Sequence, residues 1–73
     1  MSSGELRNRL KEERAGLQLS QADLAALVRV SRKTINTVEN GVFVPSTTLA
    51  LRLAHALDTT VEQLFYLSEG GER

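Results

Sequence analysis

Residues 31 to 37 read Ser31-Arg32-Lys33-Thr34-Ile35-Asn36-Thr37. Ile35 and Val38 are spaced to share one face of a helix, which turns Arg32, Lys33, Asn36 and Thr37 the other way. The chemistry of those four side chains is recognition. Arginine or lysine pairs with guanine O6 and N7, asparagine with adenine N6 and N7, and the threonine methyl meets the thymine methyl. A helix N-terminus carrying this set fits the major groove of duplex DNA, where base edges are legible.

Positioning such a helix needs neighbours, and the chain supplies them. A second short helix precedes it, joined by a turn too tight for anything else to fit. Ser20 opens it in a shortened capping box with Asp23. Leu24, Leu27 and Val28 make its apolar stripe, and Ala25 lies where a larger residue would force the two helices apart. Ser31 caps the following helix and Gly41 stops it. Upstream, Leu6, Leu10 and Arg14 recur at helical spacing with Leu17 close after, and Gly16 suits a left-handed end. After the apolar connector Val42-Phe43-Val44-Pro45, Ser46 starts a helix through Leu49, Ala50, Leu53, Ala54 and Leu57. Asp58-Thr59 breaks it; Thr60 with Gln63 forms another capping box before Val61, Leu64 and Phe65. No strand-length alternation or internal repeat appears. The expected fold is all-α, a compact five-helix bundle over residues 5–67, with flexible ends at 1–4 and 68–73.

Seventy-three residues make one domain near the lower limit for a self-sufficient core. Without cysteine, neither a disulfide frame nor a thiolate zinc site holds it together. No apolar run approaches the ~18 residues of a membrane span, and the start lacks a signal-peptide core, so a soluble, cytoplasmic, nucleoid-associated protein is expected. The net charge of zero conceals an asymmetry. Residues 1–33 carry seven cations (Arg7, Arg9, Lys11, Arg14, Arg29, Arg32 and Lys33) against four anions, and residues 34–73 carry two against five. The basic half is the one that would face DNA. Catalysis has little to work with. His55 is the only histidine, and no phosphate loop, metal-ligand spacing or nucleophile elbow accompanies it. No cofactor or metal is expected.

The chain resembles the phage-repressor/Cro-type (XRE) helix-turn-helix regulators across residues 5 to 67. The matching motifs are Arg9-Leu10-Lys11, Arg14, Leu19-Ser20-Gln21, Asp23-Leu24-Ala25, Val30-Ser31 and Thr34-Ile35-Asn36. They continue with Glu39-Asn40-Gly41, Pro45-Ser46, Leu49-Ala50 and Glu62-Gln63-Leu64-Phe65. The resemblance implies a lambda-repressor-like fold and a regulator that represses transcription from an inverted-repeat operator as a homodimer. It assigns base contacts to Arg32, Lys33, Asn36 and Thr37, and backbone contacts to Gln21, Asn40 and Arg9; phosphate alone is the competing assignment for Arg32 or Lys33. Arg14 and Glu39 would form a buried structural ion pair. Two positions depart from the family pattern. Arg29 replaces the usual turn glycine and is expected to add a backbone phosphate contact, while Val42 and Val44 stand where polar or basic residues often touch phosphate.

A single recognition helix covers few base pairs, so dimerisation is expected. Phe65, Tyr66 and Leu67 are the candidate interface, bordered by Leu51 and His55; the competing assignment puts Phe65 in the core with Tyr66 and Leu67 capping the bundle. The alternative function is a DNA-binding antitoxin or a partner-regulated interaction module, which adds a protein partner to DNA.

Overall fold

The computed structural model describes residues 4–68. In chain order it contains strand β1 (Leu6–Asn8), helices α1 (Leu10–Gly16), α2 (Gln21–Val28), α3 (Arg32–Glu39), α4 (Thr47–Ala56) and α5 (Val61–Leu64), and strand β2 (Phe65–Leu67). The helices start where hydroxyl side chains satisfy their exposed amides. Ser20, Ser31, Ser46 and Thr60 accept from the backbone N–H three residues on, at the heads of α2 to α5. Asp23 completes the first capping box. Gln63 does not complete the last: its side-chain oxygen accepts instead from the Thr59 hydroxyl at 2.9 Å.

Four helices end alike. After α1, α2, α3 and α4 the chain places Gln18, Arg29, Gly41 and Asp58 at φ of 59°, 64°, 75° and 59°. Each of these amides reaches back three residues, and the next amide reaches back five; for α1 the bonds are Gln18 N–H to Ala15 O and Leu19 N–H to Arg14 O. This is the Schellman closure, in which a left-handed residue lets the last carbonyls be paired. The expected terminator Gly16 is simply the last residue of α1, and Gln18 takes the left-handed position.

The core is built from Leu10, Leu24, Ile35, Leu53 and Leu64, all at 0% exposure, with Val28, Val38, Leu49, Ala50, Leu57 and Phe65 around them. Ala25 and Ala54 are also buried. Leu27, expected in the stripe of α2, is 58% exposed. A helix turns about 100° per residue, so the buried arc of Leu24, Ala25 and Val28 leaves Leu27 about 100° from its centre.

Leu6 is not helical. Residues 6–8 pair antiparallel with β2, in the register Leu6 to Leu67, Arg7 to Tyr66 and Asn8 to Phe65. Pairing with Leu67 overrides the helical spacing that Leu6 shares with Leu10, Arg14 and Leu17. The tail's first residue joins in: Ser68 N–H donates to Glu5 O at 2.8 Å, and its hydroxyl accepts from Glu5 N–H at 3.2 Å. Residues 1–3 and 69–73 of the expected flexible ends lie outside the described residues.

Candidate nucleic-acid interface

Between α2 and α3 lie only Arg29, Val30 and Ser31. Arg29, at φ 64° and ψ 45°, turns the chain. A left-handed backbone costs a non-glycine residue about 1–2 kcal/mol. Val30 N–H donates to Ala25 O at 3.0 Å and the Val30 side chain packs on the core. Ser31 then accepts from Thr34 N–H at 3.1 Å, and the Ser31 and Thr34 hydroxyls lie 2.9 Å apart. The turn fixes the direction in which α3 leaves α2.

Helix α3 has two sharply different sides. Ile35 and Val38 are buried at 0% and 1% exposure, whereas Arg32, Lys33 and Asn36 are exposed and Thr37 half-buried. The Thr37 hydroxyl donates to Thr34 O at 2.9 Å, so its hydrogen is already used within the helix. Asn40 donates from Nδ2 to Asn36 Oδ1 at 3.0 Å. That bond presets the Asn36 carboxamide while leaving its own NH₂ to donate.

Behind this face sits a network that joins three helices. Arg14 Nε donates to Glu39 Oε2 at 2.7 Å and Nη2 to Oε1 at 3.3 Å, while Nη1 donates to Leu19 O at 2.8 Å. Gln21, expected at a phosphate, donates from Nε2 to Glu39 Oε1 at 3.0 Å. Glu39 therefore accepts from α1 and from the first residue of α2 while standing at the end of α3. Its side chain is 4% exposed and that of Arg14 14%. One hydrogen of the Gln21 NH₂ remains for a second acceptor.

Asn8 has a role that helical spacing did not indicate. Its Oδ1 accepts from Leu10 N–H, the first amide of α1, at 3.0 Å, and its Nδ2 donates to Val38 O at 3.0 Å, holding the last turn of α3. The available signal was an asparagine two residues before a leucine that begins a buried face. Arg9 packs its guanidinium 4.7 Å from the centroid of the Tyr66 ring.

The residues expected at a dimer interface are divided by the structure. Phe65 is 8% exposed and belongs to the core, a correction to its placement at the interface, while Tyr66 and Leu67 are 40% and 61% exposed. Leu51 lines an apolar groove of about 290 Å³ with Leu6, Pro45, Val61 and the edge of Phe65. His55 lines a different groove, with Leu27, Arg29 and Arg52. Val42, Phe43 and Val44, following α3, are all exposed. At the head of α2, the Ser20 amide and then its hydroxyl hold the Asp23 carboxyl below its usual range. Among the described residues no cluster of three or more His, Cys, Asp or Glu could hold a metal ion, and no helix is long and apolar enough to cross a membrane.

Two short helices set by a three-residue turn, the second amphipathic and polar outward, define a helix-turn-helix protein. The profile of the helix-turn-helix family HTH_3 matches residues 10–64. The chain is 39% identical over 64 residues to the uncharacterized HTH-type transcriptional regulator YgzD of Bacillus subtilis (strain 168), covering 88% of this chain and 97% of that protein. It is 41% identical over 69 residues to an uncharacterized HTH-type transcriptional regulator of Methanothermobacter thermautotrophicus, covering 93% and 100%. Among solved structures it is similar to the restriction-modification controller protein C.AhdI from Aeromonas hydrophila, with a TM-score of 0.72 and 38% identity over 75% of this chain and 83% of that one. The chain belongs to this helix-turn-helix family: it is a regulator of the phage-repressor/Cro (XRE) type.

Proposed function

We propose that this protein represses transcription by binding an inverted-repeat DNA operator as a homodimer, with α3 of each copy in the major groove. The observation that carries this is the outward face of α3. Arg32, Lys33, Asn36 and Thr37 stand exposed or half-exposed on a helix whose other side is held by core packing and by the Glu39 network. The backbone of the reading helix is thus set before DNA arrives, and the ordering cost on binding falls on the exposed Arg32 and Lys33 side chains.

Lys33 and Arg32 supply donors for guanine, Asn36 for adenine, and the Thr37 methyl an apolar contact for thymine. Gln21 at the head of α2, Asn40 after α3 and Arg9 before α1 act on phosphates, which position the domain without reading sequence. Arg29 lies on a groove with α4 residues, apart from this assignment.

The homodimer rests on the apolar groove beside Leu51. Leu6 and Leu67 are directly opposed across β1 and β2, so their side chains share one face, and they are 38% and 61% exposed. A two-fold contact through this patch and Leu51 presents two α3 helices to half-sites about 34 Å apart. Occupancy of a promoter by the dimer then excludes polymerase. Selection of bound duplexes from a random pool tests the proposal: an inverted repeat is expected, and a single unpaired half-site or no enrichment counts against it.

A further inference from the structure

A second surface carries chemistry that the α3 face does not use. Between the end of α2 and the middle of α4 is a groove of about 330 Å³, lined by Leu27, Val28, Arg29, Arg52, His55 and Ala56. Its lining combines the apolar Leu27, Val28 and Ala56 with the cationic Arg29 and Arg52, and Leu27 is 58% exposed. No aspartate or glutamate lines it, and neither arginine has a carboxylate partner among the described residues, where the ion pair joins Arg14 to Glu39.

We propose that this groove is a docking site for an acidic segment of another protein that carries a large apolar side chain. Charge complementarity selects the acid: in a chain with as many anions as cations, an acid-free groove with two arginines is a local excess of positive charge. The exposed leucine selects the apolar anchor. A DNA backbone would satisfy the arginines but supplies no side chain to cover Leu27, and Arg52 and His55 belong to α4 rather than to the helix-turn-helix pair. An extended acidic peptide does both, setting its apolar residue on Leu27 and Ala56 and its carboxylates against Arg29 and Arg52. The site is independent of base reading by α3.

The test is an NMR titration of the full-length, isotope-labelled protein with three probes: a synthetic peptide alternating glutamate and leucine, its glutamate–serine counterpart, and a DNA duplex. The glutamate–leucine peptide is expected to shift the amides of Leu27, Arg29, Arg52, His55 and Ala56. The serine counterpart is expected to bind about tenfold more weakly, and Arg52→Ser to weaken the leucine peptide by about two- to fivefold. Arg52 is exposed and Arg52→Ser avoids the strained backbone of Arg29, so its melting temperature should match the wild type. Equal binding of the two peptides, or no binding, overturns the proposal. Shifts at these residues with DNA alone would make the groove a phosphate contact, and shifts on raising protein concentration would make it a contact with a second copy; both overturn it.

Discussion

The Arg14 guanidinium and the Glu39 carboxylate meet at 2.7 Å with both side chains largely out of solvent, and Gln21 adds a third donor to the same carboxylate. A carboxylate so placed has exchanged water for these partners, and removing one partner strands the other. Glu39→Ala is therefore expected to cost about 3–5 kcal/mol, a large share of what so small a domain possesses. Urea denaturation checks it. Arg14→Met/Glu39→Leu together should cost less than the sum of the single changes, and strict additivity would mean that the pair is not coupled.

Gln18, Arg29 and Asp58 occupy the left-handed position that Gly41 fills at the end of α3. Replacing Arg29 with glycine should relieve backbone strain and raise stability by about 1 kcal/mol. Gln18→Gly should act in the same direction, and the two effects should add because they lie at the ends of different helices. Thermal melts read the gain directly. A fall in melting temperature for Arg29→Gly would show that the arginine side chain contributes more than its backbone costs.

At the head of α2 the stabilisation is tied to pH. Asp23 titrates below its usual range because it accepts from the Ser20 amide and hydroxyl. With the folded value depressed, its contribution is present above the unfolded carboxylate range and is lost as pH falls through the folded value. Asp23→Asn should melt below the wild type at neutral pH, and the gap should close in acid. A gap independent of pH would remove the carboxylate's charge from the explanation.

Much of this geometry was legible in the sequence. Ser20, Ser31, Ser46 and Thr60 mark helix starts because a hydroxyl before an apolar run has one local use, whereas Arg29 was marked as left-handed only by the resemblance, which puts glycine at that turn position. The two faces of α3 follow from the spacing of Ile35 and Val38. What the sequence hid depends on distant partners. Leu6 looks helical until Leu67 is opposite it, and Phe65 looks like an interface residue until α5 ends and turns it inward. Gln21 was expected at a phosphate and bracing a recognition side chain, and nothing local reveals that Glu39, eighteen residues on, takes its amide.

The homodimer proposal predicts a selective response to charge on the apolar patch. Leu51→Glu and Leu67→Glu place carboxylates on exposed positions, so the monomer fold should survive while the dimer dissociates. Sedimentation across a micromolar concentration series distinguishes the states. Variants that still dimerise would place the two-fold contact on another face.

Base reading by α3 is the central claim, and matched affinities test it most directly. Lys33→Ala and Thr37→Ala should each lose about 1–3 kcal/mol on the selected operator while relaxing the preference at one base pair per half-site. Gln21→Ala should weaken all duplexes by a similar factor, since its proposed target is phosphate. The decisive measurement is the affinity of Lys33→Ala for the operator and for every single-base variant of it. A flattened profile at one position, with the others unchanged, is the predicted result; equal losses on operator and scrambled duplex would contradict it.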